Sequence, residues 1–163
     1  MDVTSALQWF LAVVLLGSGF LKLASQDRFL RTLVSLPWLS IAHARWLVRV
    51  VPASEIALAV LVLVSPEVGG ALIVTIVLLF TGVVANELRH GRRFDCGCFG
   101  GTSDRAVGAA TVGRNALIIA IAATAAATHG PALLGSALTG VGVGLGALLL
   151  SVALDARGSA RTR

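Results

Sequence analysis

Long apolar runs, each close to the length of a bilayer crossing, dominate this chain and leave few folds open to it. Residues 5–23, 46–64, 68–85, 110–128 and 131–154 are such runs. A helix rises about 1.5 Å per residue, so about 20 residues cross the hydrocarbon layer. Only 13% of the 163 residues are charged, where a soluble domain carries about 25%. Lipid is therefore the expected solvent, and the partner of most of the surface is the bilayer. The net charge of +5 does not point to nucleic acid, because the basic residues punctuate apolar runs and form no patch with interleaved aromatics. The start, Met1-Asp2-Val3-Thr4, has no basic n-region and reads as the lead into a span rather than as a cleavable signal.

The runs differ in character. The first and third are uninterrupted, whereas Arg49, Pro52 and Glu55 interrupt the second. The last two are rich in alanine and glycine, which lets helices approach closely in lipid. Gly140 and Gly144 form a small-xxx-small pair; no strand or Lys-Ser/Thr accompanies them, so they read as a packing seam and not a phosphate loop. Between the first two runs, Phe29, Leu30, Leu33 and Val34 recur at helical spacing among Asp27, Arg28, Arg31 and Thr32. That pattern predicts an interfacial helix ending near Pro37-Trp38. The expected architecture is an all-α polytopic transmembrane bundle of about five spans plus one interfacial helix. Residues 1–154 form one domain and residues 155–163 a basic cytoplasmic tail.

Charge orients such a bundle. All 13 basic residues lie from the end of span one to the start of span two, from the end of span three to the start of span four, or in the tail. The opposite side holds Asp2, Glu67 and His129. Positive-inside bias then puts the N-terminus outside and the C-terminus in the cytoplasm of a cell membrane. Whichever way the bundle points, the end of span one, the start of span two, the end of span three and the start of span four share one face. Lys22, Glu55, Glu87, Arg114 and the loop 88–109 gather there.

That loop carries both cysteines of the chain, Cys96 and Cys98. Cys-x-Cys brings two Cα atoms within disulfide range, and Gly97 removes the side-chain crowding of so small a ring. A strained bond of this kind is readily reduced, which suits a relay better than a staple. Arg92, Arg93 and His90 favour the thiolate, and Asp95 opposes it. Two inert thiols, or half a metal site completed by His90 and Asp95, are the competing readings. Glu55 lies nine residues before Val64, about 13 Å along its helix. An intramembrane carboxylate is a functional candidate by default, and pairing with Lys22 or Arg114 purely to hold the bundle is the structural alternative. Lys22 can also snorkel to the interface. Pro52 is expected to open the helix locally. Arg114 and Asn115, at a helix start, either hold an anionic group or cap and anchor the helix.

Read in order, these pieces resemble the MauE family of methylamine-utilisation membrane proteins, within the broader DoxX-like group. The resemblance is carried by Gly17-Ser18-Gly19-Phe20-Leu21-Lys22, Leu36-Pro37 and Pro52-Ala53-Ser54-Glu55. It continues through Arg92-Arg93-Phe94-Asp95-Cys96-Gly97-Cys98-Phe99-Gly100 and Val112-Gly113-Arg114-Asn115. It implies a four-helix core with a further C-terminal helix, and disulfide handling with a thioredoxin-like partner during maturation of methylamine dehydrogenase. Carried over by position, Cys96 and Cys98 are the redox pair, and Lys22, Glu55, Asp95, Arg114 and Asn115 build the pocket around them. No resident cofactor is evident; a quinone is the class that would take up the electrons. Two other roles are compatible with the residues: a non-catalytic membrane anchor for a soluble redox protein, and a small metal-handling or transport protein.

Overall fold

The computed structural model describes residues 3–90, 109–127, 140–147 and 149. These residues are helical apart from short turns, and no strand occurs among them. The helices are α1 (Val3–Ala24), α2 (Gln26–Val34), α3 (Ile41–Val64), α4 (Pro66–Arg89) and α5 (Ala109–Ala126). Residues 140–147 are also helical. α1, α3 and α4 are each long and apolar enough to cross a membrane, and the apolar part of α5 is shorter, Thr111–Ala126. The chain is thus a membrane protein. Most of the run 131–154, expected as a fifth span, lies outside the described residues.

α3 starts at Ile41, five residues before the expected boundary. The cause is local: the Ser40 hydroxyl accepts the His43 backbone N–H, satisfying one of the free donors of the first turn. Pro52 does not open the helix; α3 runs through it. The ring is fully buried, and packing there holds the backbone helical although the position lacks a donor. Ser65 alone joins α3 to α4, and Pro66 starts α4 where a missing N–H costs nothing. The helix expected between the first two spans is α2. It buries Phe29 and stops at Val34, and Val34 itself is exposed.

α1 packs on α3, α3 on α4, α4 on α5, and α5 returns to α1, with α2 lodged against α3 and the end of α1. The shared core contains Leu11 and Ala12 of α1, Leu58, Ala59 and Val62 of α3, Ile73 of α4, and Ala122 and Ala125 of α5. Alanines at these crossings bring the backbones together, which is how helices associate where lipid gives no hydrophobic incentive.

The glycine seam faces α1. A methyl group on Gly140 would strike the Ala6 carbonyl and Trp9, and one on Gly144 would meet Val13 at 2.9 Å. Gly142 and Gly146 have nothing within 4 Å at the same position. Gly144→Leu is therefore expected to lower the stability of the detergent-solubilised chain by about 1–3 kcal/mol. Gly142→Leu stays within about 0.5 kcal/mol of the parent. Thermal melting of both variants checks this; equal losses would mean that the seam is not the contact.

Candidate functional site

Two buried serine and lysine positions one turn apart on α1 create the first part of the site. Ser18 and Lys22 are four residues apart, so they lie on one helix face. Gly19 beside them lets α3 come close: a Cβ there would stand 3.0 Å from Ile56 and 3.1 Å from the Pro52 carbonyl. Across that contact, Lys22 Nζ donates to Glu55 Oε1 at 2.6 Å and to Oε2 at 2.8 Å. Its third N–H goes to Ser18 Oγ at 2.6 Å, and the Ser18 hydroxyl donates to Glu55 Oε1 at 3.3 Å. All three ammonium protons thus have acceptors, which is the condition for keeping a charge out of water. The Lys22 side chain is 4% exposed and that of Glu55 19%, so the carboxylate keeps one edge open. Lys22 does not snorkel to the surface. Its Nζ lies 5.9 Å from the centroid of the Phe29 ring, a cation–π distance, so one ammonium ties α1, α2 and α3 together.

A second group of contacts joins α4 to its neighbours. Glu87 is 1% exposed. The Trp38 indole, from the loop after α2, donates its Nε1–H to Glu87 Oε1 at 3.1 Å. Asn115 of α5, also buried, donates through Nδ2 to Thr81 Oγ1 at 2.9 Å. The Thr81 hydroxyl in turn donates to the Val77 carbonyl at 2.7 Å. Arg114 precedes Asn115 on α5, and its charge is near enough to act on the Lys22 ammonium.

Of the residues singled out from sequence, Lys22 and Glu55 form one ion pair, with Arg114 and Asn115 on the adjacent α5. Asp95, Cys96 and Cys98 lie outside the described residues. They belong to the segment that leaves the C-terminal end of α4 and enters α5, the end at which Glu87 and Asn115 sit. His90 closes α4: its backbone N–H reaches the Asn86 and Glu87 carbonyls, and its Nδ1 is 2.8 Å from the Asn86 carbonyl oxygen.

Ser18, Phe29, Trp38, Thr81 and Glu87 were not predicted as site residues. Only Ser18 carries a local signal, its spacing of four residues from Lys22. Trp38 and Glu87 are 49 residues apart in sequence, and no pattern along the chain couples them.

Comparison with curated proteins and with solved structures finds no match. The family model described as Methylamine utilisation protein MauE matches residues 2–128, a stretch that takes in all five helices from α1 to α5. Well over half of the sequence is covered, and the chain belongs to the MauE family.

Proposed function

We propose that this protein exchanges thiols and disulfides with a thioredoxin-like partner at one membrane face, using Cys96 and Cys98. The observation that carries the proposal is where the cysteine segment is anchored. It joins α4 to α5 at the end of the bundle where Lys22–Glu55, Trp38–Glu87 and Asn115–Thr81 are paired. Cys96 follows His90 by six residues, so chain length alone keeps it within about 20 Å of the end of α4. The polar contacts tie α1, α3, α4 and α5 to their neighbours at that end, and residues 1–154 are proposed to form one domain.

One cysteine thiolate attacks a sulfur of the partner's disulfide, forming a mixed disulfide and releasing the partner's other sulfur as thiolate. The second cysteine then attacks its neighbour's sulfur. The Cys96–Cys98 bond forms, the partner leaves as a dithiol, and the two thiol protons end on the partner. The reverse sequence oxidises the partner and leaves Cys96 and Cys98 reduced; a membrane quinone is the class of acceptor that would then take two electrons and two protons. The family description names methylamine utilisation, and maturation of methylamine dehydrogenase is the step in it that the resemblance implies.

The test is thiol trapping in intact cells with membrane-permeant and membrane-impermeant maleimides, with and without prior reduction. Labelling that appears only after reduction is the expected result, because the resting pair is a labile disulfide. Labelling by the permeant reagent alone would fit the charge-based orientation, with the segment in the cytoplasm. Free labelling without reduction would remove the redox reading and leave the anchor role, in which basic Arg92 and Arg93 dock a soluble protein.

A further inference from the structure

The first half of α3 presents two arginines to the outside of the bundle. Ala44 and Val48 are buried, whereas Arg45, Trp46 and Arg49 are exposed. Trp46 is 62% exposed. Arg45 and Arg49 are one turn apart on the same face, with Cβ atoms about 6 Å from each other. Further along, the same face continues as Ala53, Ala57 and Val60, all exposed and small.

Helix packing sets the depth of this group. Gly19 of α1 meets Pro52 and Ile56 of α3, and the two helices run in opposite directions. From that contact α1 continues five residues to its end at Ala24, about 7.5 Å. Arg49 lies three residues before Pro52 and seven before Ile56 on α3, which spans the same distance. Arg49 therefore stands level with the place where the apolar run of α1 stops and the polar turn at Ser25 begins. Arg45 is one turn farther out. This is the boundary between hydrocarbon and headgroups.

An arginine on an outward face at that depth needs an anion, since a guanidinium left unpaired at the edge of hydrocarbon is costly. Among the described residues neither Arg45 nor Arg49 has an acidic partner. The anion available at that level is the phosphate of a lipid. Two guanidiniums a turn apart offer paired N–H donors to its oxygens, and Trp46 between them is the side chain that settles at this boundary. A choline headgroup would bring its own cation beside both arginines, whereas a glycerol headgroup would not. We infer that Arg45, Trp46 and Arg49 bind the phosphate of an anionic phospholipid, whose acyl chain lies along Ala53, Ala57 and Val60.

Native mass spectrometry of the full chain, loaded from an equal mixture of dioleoyl phosphatidylglycerol and dioleoyl phosphatidylcholine, tests this. The parent chain is expected to retain the first bound phosphatidylglycerol about tenfold over phosphatidylcholine. Arg45→Gln/Arg49→Gln should bring the two lipids to near-equal retention. Both positions are exposed, so the fold tolerates the change, and circular dichroism confirms it. Arg28→Gln/Arg31→Gln removes the same charge from α2 and should keep the preference. A preference that survives Arg45→Gln/Arg49→Gln overturns the inference. So does one lost equally in the α2 variant, which would mean diffuse attraction to the basic face.

Discussion

Glu55→Gln is expected to destabilise the chain by about 3 kcal/mol or more, and Lys22→Met by somewhat less. The order follows from exposure. The Lys22 side chain is 4% exposed and the Glu55 side chain 19%. Removing the carboxylate strands an ammonium buried among helices, on which the Arg114 charge also acts. Removing the ammonium strands a carboxylate that still has an edge open to water and still accepts the Ser18 hydroxyl. Polar contacts between membrane helices average only about 0.6 kcal/mol in double-mutant cycles, which argues for a small effect. That average covers mostly neutral pairs whose members find other partners; here one charge is left behind, and the desolvation cost dominates. The double variant Lys22→Met/Glu55→Gln should accordingly lose less than the sum of the two, because no unpaired charge remains.

Unfolding in mixed micelles, followed by circular dichroism, measures all three variants. Trypsin adds a local reading. Lys22 also lies over the Phe29 ring, so Lys22→Met loosens α2 and should speed cleavage at Arg28 and Arg31. Glu55→Gln leaves that ring contact in place and should speed it less. Losses below about 0.5 kcal/mol in both single variants would show that the pair is incidental to stability.

The pairing itself was half legible in advance. A carboxylate in the middle of an apolar run needs a cation, and only Lys22 and Arg114 were placed to supply one. Which of them did so depended on Gly19, whose missing side chain brings α1 onto α3 at Pro52 and Ile56. For Glu87 the face was legible and the partner was not. The sequence places it with Lys22, Glu55 and Arg114, two residues from the end of α4, and it is 1% exposed. Its carboxylate accepts from Trp38, which reads along the chain only as the place near which the interfacial helix ends. The start of α3 lies inside residues 25–45, a stretch whose polarity argues against a span, and the Ser40 cap that begins the helix rests on one hydroxyl. Spans follow from hydropathy because lipid imposes one condition on every residue in them. Contacts between spans depend on which faces meet, and that is set by small residues whose partners lie far away in sequence.

Cys96→Ser/Cys98→Ser is expected to abolish thiol–disulfide exchange while leaving stability near that of the parent. The two single variants should divide the reaction between them. The attacking cysteine is the one whose loss prevents any adduct with the partner. The resolving cysteine is the one whose loss lets the mixed disulfide accumulate, because nothing remains to displace the partner. Non-reducing gels of cells expressing each variant with a tagged thioredoxin-like protein separate the cases: one single variant gives a stable, reducible conjugate, and the other gives none. In the redox proposal Arg92, Arg93 and His90 favour the thiolate against the opposing charge of Asp95, and on that balance the conjugate should form near neutral pH. Glu55→Gln serves as the comparison, since it weakens the support without touching a sulfur. It should lower the yield of conjugate only as far as it lowers the amount of folded protein. A double cysteine variant with unchanged exchange activity would refute the redox role, and the anchor role would then account for the membership of this chain in its family.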